Sequence, residues 1–108
     1  MLTKQQLETV VPKVIKVLSK TSIGNPLKAP QLVKRIKRLG VKRMDESILR
    51  NCCNHIRTNA ILPVIATSQG YYVSRDKTVI QNQIDSLRKR AASINKSTQG
   101  LRRYLKTL

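Results

Sequence analysis

Apolar residues recur at helical spacing near the start of the chain, at Leu7, Val10, Val11, Val14, Ile15 and Leu18. Thr3 is placed to cap this helix, with Gln6 as the box partner three residues on. Pro12 interrupts the pattern, so a helix that kinks or restarts there and ends near Lys20 is predicted. Residues 21–30 (TSIGNPLKAP) read as a loop broken by Gly24, Asn25, Pro26 and Pro30. Within it, residues 27–29 offer one short strand contact. A second helix follows over residues 31–39, with Pro30 in its first turn and Leu32, Val33, Ile36 and Leu39 on its apolar face. Gly40 suits its C-terminal end, because glycine takes the left-handed conformation without a Cβ penalty. A short turn, GVKRM, then leaves Val41 or Met44 to tuck under the next helix.

Asp45 can cap a third helix, and Glu46 complements the positive end of its dipole. Ile48, Leu49, Cys52, Cys53 and Ile56 make its apolar face. Ser47, Arg50, Asn51, Asn54, Arg57 and Thr58 fill the rest, with His55 on the border. Asn59 and Pro63 end the helix near residue 59. Two β-prone runs, residues 62–67 and 71–74, flank Ser68-Gln69-Gly70, a three-residue hairpin loop in which Gly70 supplies positive φ. Beyond them Ile80, Ile84, Leu87, Ala91, Ile94, Thr98, Leu101, Leu105 and Leu108 alternate spacings of four and three, a heptad seam on one long helix capped by Asp76.

The pattern predicts a mainly α chain with a small β-hairpin: residues 1–75 as one domain, residues 76–108 as a long C-terminal helix for packing or dimerisation. The first half of the seam can lie on the domain's first helix. The second half, through Ile94, Leu101, Leu105 and Leu108, is left for a second copy, a homodimer, the alternative being a tail helix that folds back on the same chain. With no Phe or Trp, the core must be aliphatic. No apolar run approaches the ~20 residues needed to span a membrane, and the opening MLTKQQLE lacks the apolar stretch of a signal peptide. The expected location is a bacterial cytoplasm, or the host cytoplasm or virion if the chain is phage-encoded.

Charge changes the picture most. Twenty-two Lys and Arg face five acids, a net charge of +17. Such an excess repels itself in the folded state, and a polyanionic partner is its simplest explanation. Cys52 and Cys53 are adjacent, with a single His in the chain, which fits neither a disulfide framework nor zinc-ligand spacing. No triad order and no Gly-rich phosphate loop is evident, so no enzyme activity, cofactor or small-molecule substrate is expected.

Over residues 27–90 the chain resembles the winged helix-turn-helix family, most specifically in residues 54–74 (NHIRTNAILPVIATSQGYYVS). It looks like the small winged-helix proteins encoded by bacteria and their phages. The resemblance implies a winged helix-turn-helix plus a long C-terminal helix, with the third helix in the major groove of double-stranded DNA and the wing on the adjacent backbone or minor groove. Two departures stand out. The wing tip is short and carries no Lys or Arg, and the turn GVKRM is unusually basic.

The candidate nucleic-acid-binding residues follow. Ser47, Arg50, Asn51, Asn54 and Arg57 have the chemistry that reads base edges and phosphates. Lys34, Arg35, Lys37, Arg38, Lys42 and Arg43 form a basic run suited to the phosphate backbone, and Gln69 sits at the wing tip. The expected function is duplex DNA binding in transcription control or DNA replication, without chemistry on the DNA. The alternatives are a sequence-independent coating or packaging protein, virion-associated in one version, and a winged-helix adaptor that grips another protein. RNA stays open as a ligand, though no RNP-like strand or GXXG loop is present. A membrane-surface role lacks aromatic anchors.

Overall fold

In a computed structural model that describes residues 1–108, reciprocal bonds open the first helix. Gln6 N–H donates to Thr3 Oγ1 at 3.1 Å, and Thr3 N–H donates to Gln6 Oε1 at 3.0 Å. Helix α1 (Lys4–Thr9) stops almost at once, and α2 (Val11–Leu18) restarts with Pro12 in its first turn. There the missing N–H would have had no intrahelical partner. Val11, Val14, Val17 and Leu18 turn inward from α2. Helix α3 (Ala29–Arg38) starts two residues before the predicted position, because Gln31 Oε1 accepts from Lys28 N–H at 3.0 Å. Leu39 caps its end and Gly40 follows at φ +100°. Both Val41 and Met44 are buried.

Helix α4 (Glu46–Thr58) is fixed at both ends. Asp45 Oδ1 accepts from Ile48 N–H at 2.8 Å. At the other end Ile61 N–H reaches back to Ile56 O at 2.9 Å and Ala60 N–H to Arg57 O at 3.1 Å. That is a Schellman closure, with Ala60 at φ +52° where glycine is usual. Leu49, Cys52, Cys53 and Ile56 are buried beneath α4, so its two thiols are core groups.

Strands β1 (Val64–Thr67) and β2 (Gly70–Val73) pair antiparallel in the register Val64↔Val73, Ile65↔Tyr72, Ala66↔Tyr71, Thr67↔Gly70. The hairpin loop is therefore two residues, Ser68-Gln69, rather than three, because Gly70 already pairs with Thr67. The positive φ falls at Gly70 as expected, at +124°. Leu27 joins the outer edge of β2 as an isolated bridge: Tyr71 N–H donates to Leu27 O at 2.8 Å and Leu27 N–H to Tyr71 O at 3.0 Å. Gly70 is required by this bridge as well, since a Cβ there would stand 2.6 Å from Leu27 C and O. The register also places the tyrosines. Val64, Val73 and Tyr71 pack on the helical core, whereas Ile65 and Tyr72 are buried on the opposite face of the sheet.

Thr21 is the buried polar side chain of the core. Its hydroxyl donates to Leu18 O at 2.6 Å and accepts from Val73 N–H at 3.1 Å, tying the end of α2 to β2.

The chain divides into two compact units, Met1–Arg75 and Asp76–Leu108. The second is one helix, α5 (Lys77–Leu105), capped by Asp76 Oδ1 accepting from Thr78 N–H at 2.8 Å. None of its residues is buried, and Ile80 at the start of the seam is half-buried. No helix of the chain is long and apolar enough to cross a membrane. The architecture is mainly helical with a small two-stranded antiparallel sheet.

Candidate nucleic-acid interface

The Met1–Arg75 unit carries fourteen Lys and Arg against three acids, Glu8, Asp45 and Glu46. Asp45 is committed to capping α4, so little negative charge opposes the cations. Helices α2, α3 and α4 pack on one another in pairs, which holds α4 by its buried stripe and turns its other side outward.

At about 100° per residue the outward centre of α4 falls on Ser47, Asn54 and Thr58. All three are exposed, as is Arg50 beside them. One border of this face carries Asn51 and His55, both half-buried. They and Asn54 line a groove of about 460 Å³ with Met1, Leu2 and Leu7, so apolar side chains of the N-terminal segment flank the helix. The other border carries Arg50 and Arg57 next to the hairpin. Arg57 is half-buried, and its Nε donates to Val64 O at 3.0 Å. The sequence expectation put Arg57 on the open face; instead this guanidinium ties α4 to β1. Tyr71 lies against the same border. Burial raises its hydroxyl above the ordinary tyrosine value; Cys53 adds to the rise, and Arg57 and Arg50 oppose it.

The basic run between the helices is exposed throughout: Lys34, Arg35, Lys37, Arg38, Lys42 and Arg43. It does not form one surface. Arg35 and Lys37 are two residues apart and lie on opposite flanks of α3, about 160° apart around the axis. Arg35 and Arg38 join Leu39, Lys16, Val17 and Lys20 around a crevice of about 260 Å³ between α2 and α3. Because α3 has α2 on that flank, Lys37 falls on the other. Lys42 and Arg43 lie in the turn that leads into α4. Gln69 is exposed at the hairpin tip, where its N–H donates to Thr67 Oγ1 at 3.1 Å.

Two contributors escaped the sequence reading. Lys16 lies in the last turn of α2 and Lys20 in the turn just beyond it, a spacing visible in the sequence, but only packing brings them beside Arg35 and Arg38. Tyr71 reaches the α4 border only through the hairpin register. Cys52 and Cys53 are free and buried, and burial pushes both thiols up to about 11. At neutral pH they are protonated, small apolar fillers rather than nucleophiles.

On α5, Ile94 is 63% exposed, Leu101 73% and Leu105 68%; Leu108, 89% exposed, lies beyond the end of the helix, which stops at Leu105 short of the predicted seam. Tyr104, outside the heptad positions, joins Leu101, Leu105 and Leu108 around one shallow groove. No protein-family model matches the chain, and no curated protein or solved structure matches it.

Proposed function

We propose that this chain is a winged helix-turn-helix protein that binds double-stranded DNA with α4 in the major groove. The observation that carries the reading is the outward face of α4. Ser47, Arg50 and Asn54 stand exposed on a helix locked by a capped start, a Schellman end and a buried stripe. Its surroundings support the same assignment. The order α3, basic turn, α4, hairpin, with Leu27 bridged to β2, agrees with what the winged helix-turn-helix resemblance implies.

In this mode Lys37, Lys42 and Arg43 meet the phosphate backbone and fix the register, while Arg50 and Asn54 reach base edges. Glu46 repels phosphate at the first turn of α4, so the contacts centre one turn further along. The hairpin tip carries no cation, and its contribution is a polar contact from Gln69. The protein does no chemistry on the DNA; it acts by occupancy, in transcription control or replication of a bacterial or phage system.

Two copies join through α5. Each Leu or Ile that a partner covers contributes roughly 1.5–3 kcal/mol, so four such residues per chain outweigh the ordering cost of one helix face. Sequence-independent coating is the second reading, favoured by the spread of cations onto the α2–α3 crevice and α5.

A salt series by fluorescence anisotropy tests this, using a duplex of about 25 base pairs, the matching single strand and a structured RNA. Duplex preference with a log–log slope near −5 to −8 supports the groove reading. Arg50→Ala/Asn54→Ala should then weaken duplex binding by roughly 10- to 100-fold. Equal binding to all three polymers would replace it with the coating protein. No binding at moderate salt would replace it with an adaptor whose basic face meets an acidic protein.

A further inference from the structure

Lys16, Lys20, Arg35 and Arg38 converge on the α2–α3 crevice, and no acid is among the residues that line it. Their positions have a local electrostatic rationale. Lys16 lies in the last turn of α2, and Arg35 and Arg38 lie in the last turn of α3, where the helix dipoles favour positive charge. The dipoles offset part of the repulsion among the four. They do not explain why two helices aim their cations at the same concavity. Arg35 and Arg38 are one turn apart, roughly 5 Å along α3, and Lys16 on α2 is continued by Lys20 in the turn that follows it. The crevice thus presents an elongated double row of positive charge over a small apolar floor of Val17 and Leu39. A chain of repeating phosphates fits that shape, and the two guanidinium forks match phosphate oxygens. A peptide would find no aromatic or large apolar pocket to anchor it.

We propose that this crevice is a second phosphate-backbone site, which holds a separate segment of nucleic acid while α4 holds the first. The proposal rests on the α4 reading for its first segment. Arg35 and Arg38 lie on the α2 flank of α3, about 100–160° around the axis from Lys37, so the two sets of cations point in different directions. One chain then bridges two stretches of duplex, or two turns of one bent molecule, without help from a dimer.

The test uses the full chain and two readouts. Anisotropy of a labelled duplex at limiting concentration measures the first site. Capture of a second, differently labelled duplex by bead-bound protein–duplex complexes at matched occupancy measures bridging. Two crevice variants are compared, Lys16→Ala/Arg38→Ala and Lys20→Ala/Arg35→Ala, all at exposed positions and all in a Leu101→Glu/Leu105→Glu background, so that a second α4 joined through α5 does not supply the bridge. Both should keep first-duplex affinity within about 3-fold and lose at least about 5-fold in second-duplex capture. Capture unchanged in both variants would overturn the proposal. So would a parallel fall in affinity and capture, which would make the crevice part of a single footprint. Poly-glutamate displacing the second duplex more effectively than unlabelled duplex does would reassign the crevice to an acidic protein. Arg50→Ala/Asn54→Ala separates the two readings. If it leaves first-duplex affinity unchanged while the crevice variants abolish capture, the α4 assignment falls and the crevice assignment stands.

Discussion

Replacing Gly70 by alanine should damage the fold far more than one added methyl suggests. The backbone at Gly70 has φ +124°, well beyond the left-handed well near +50 to +70° that other residues tolerate. Holding alanine there costs about 1–3 kcal/mol. The new Cβ would also stand 2.6 Å from Leu27 C and O and 2.9 Å from Lys28 N, all backbone atoms that no rotamer change can move. Relief requires β2 to part from Leu27. That breaks the two Leu27–Tyr71 hydrogen bonds, at about 1 kcal/mol each. Together the loss is roughly 3–5 kcal/mol. For a unit of this size each kcal/mol lowers Tm by about 4–8 °C, so a drop of at least about 12 °C is expected. Near-UV circular dichroism of the tyrosines is the right probe, because Tyr71 and Tyr72 sit in the hairpin, whereas the far-UV signal also reports the 29 residues of α5. Gly24→Ala is the matched control: nothing lies within 4 Å of its added Cβ, and it should be neutral or slightly stabilising. A Gly70→Ala protein melting within about 3 °C of wild type would refute the close approach of Leu27 to β2.

Other positions give sharper or opposite signs. Ala60→Gly should stabilise by about 0.5–1 kcal/mol, since Ala60 closes α4 at φ +52°; a lower Tm would contradict the Schellman geometry. Burial raises both cysteine thiols from 9.0 to about 11, so the unfolded chain releases these protons first. Their contribution is intact below pH 9 and is lost as pH rises from 9 to 11. Urea titrations should show wild type losing stability faster than Cys52→Ala/Cys53→Ala across that window, and parallel curves would mean the thiols are solvated. Leu101→Glu/Leu105→Glu should convert a dimer into a monomer in sedimentation at tens of micromolar, and a wild type already monomeric there would remove the α5 seam as an interface.

The local devices were the most legible part of the sequence. Thr3 with Gln6, Pro12 and Asp45 act within a few residues of themselves, so their positions alone gave the helix starts. The buried stripes of α2, α3 and α4 follow from a period of 3.6 for the same reason. Gly70 was half legible: its positive φ is a turn property, but the approach of Leu27 is tertiary. The same divide runs through the candidate interface. Arg50 and Asn54 are exposed as helical spacing requires. Arg57 has a similar sequence context, yet turns to the Val64 carbonyl because β1 passes beside it. The basic run of α3 reads as one patch along the chain and becomes two around the helix. Its second half makes sense only beside Lys16 and Lys20, from a segment that sequence order keeps distant.

The bond from Val73 N–H to Thr21 Oγ1 closes a loop of 52 residues and brings the last strand onto the first helices. In time rather than space, the Met1–Arg75 unit cannot be completed until Val73 has been synthesised. The 52 residues that separate the two partners take seconds to add at roughly 5–20 residues per second. A small, mostly helical domain folds in milliseconds or less once its sequence is available. Synthesis rather than folding therefore sets when the Thr21–Val73 bond closes, and the first helices wait for their last strand.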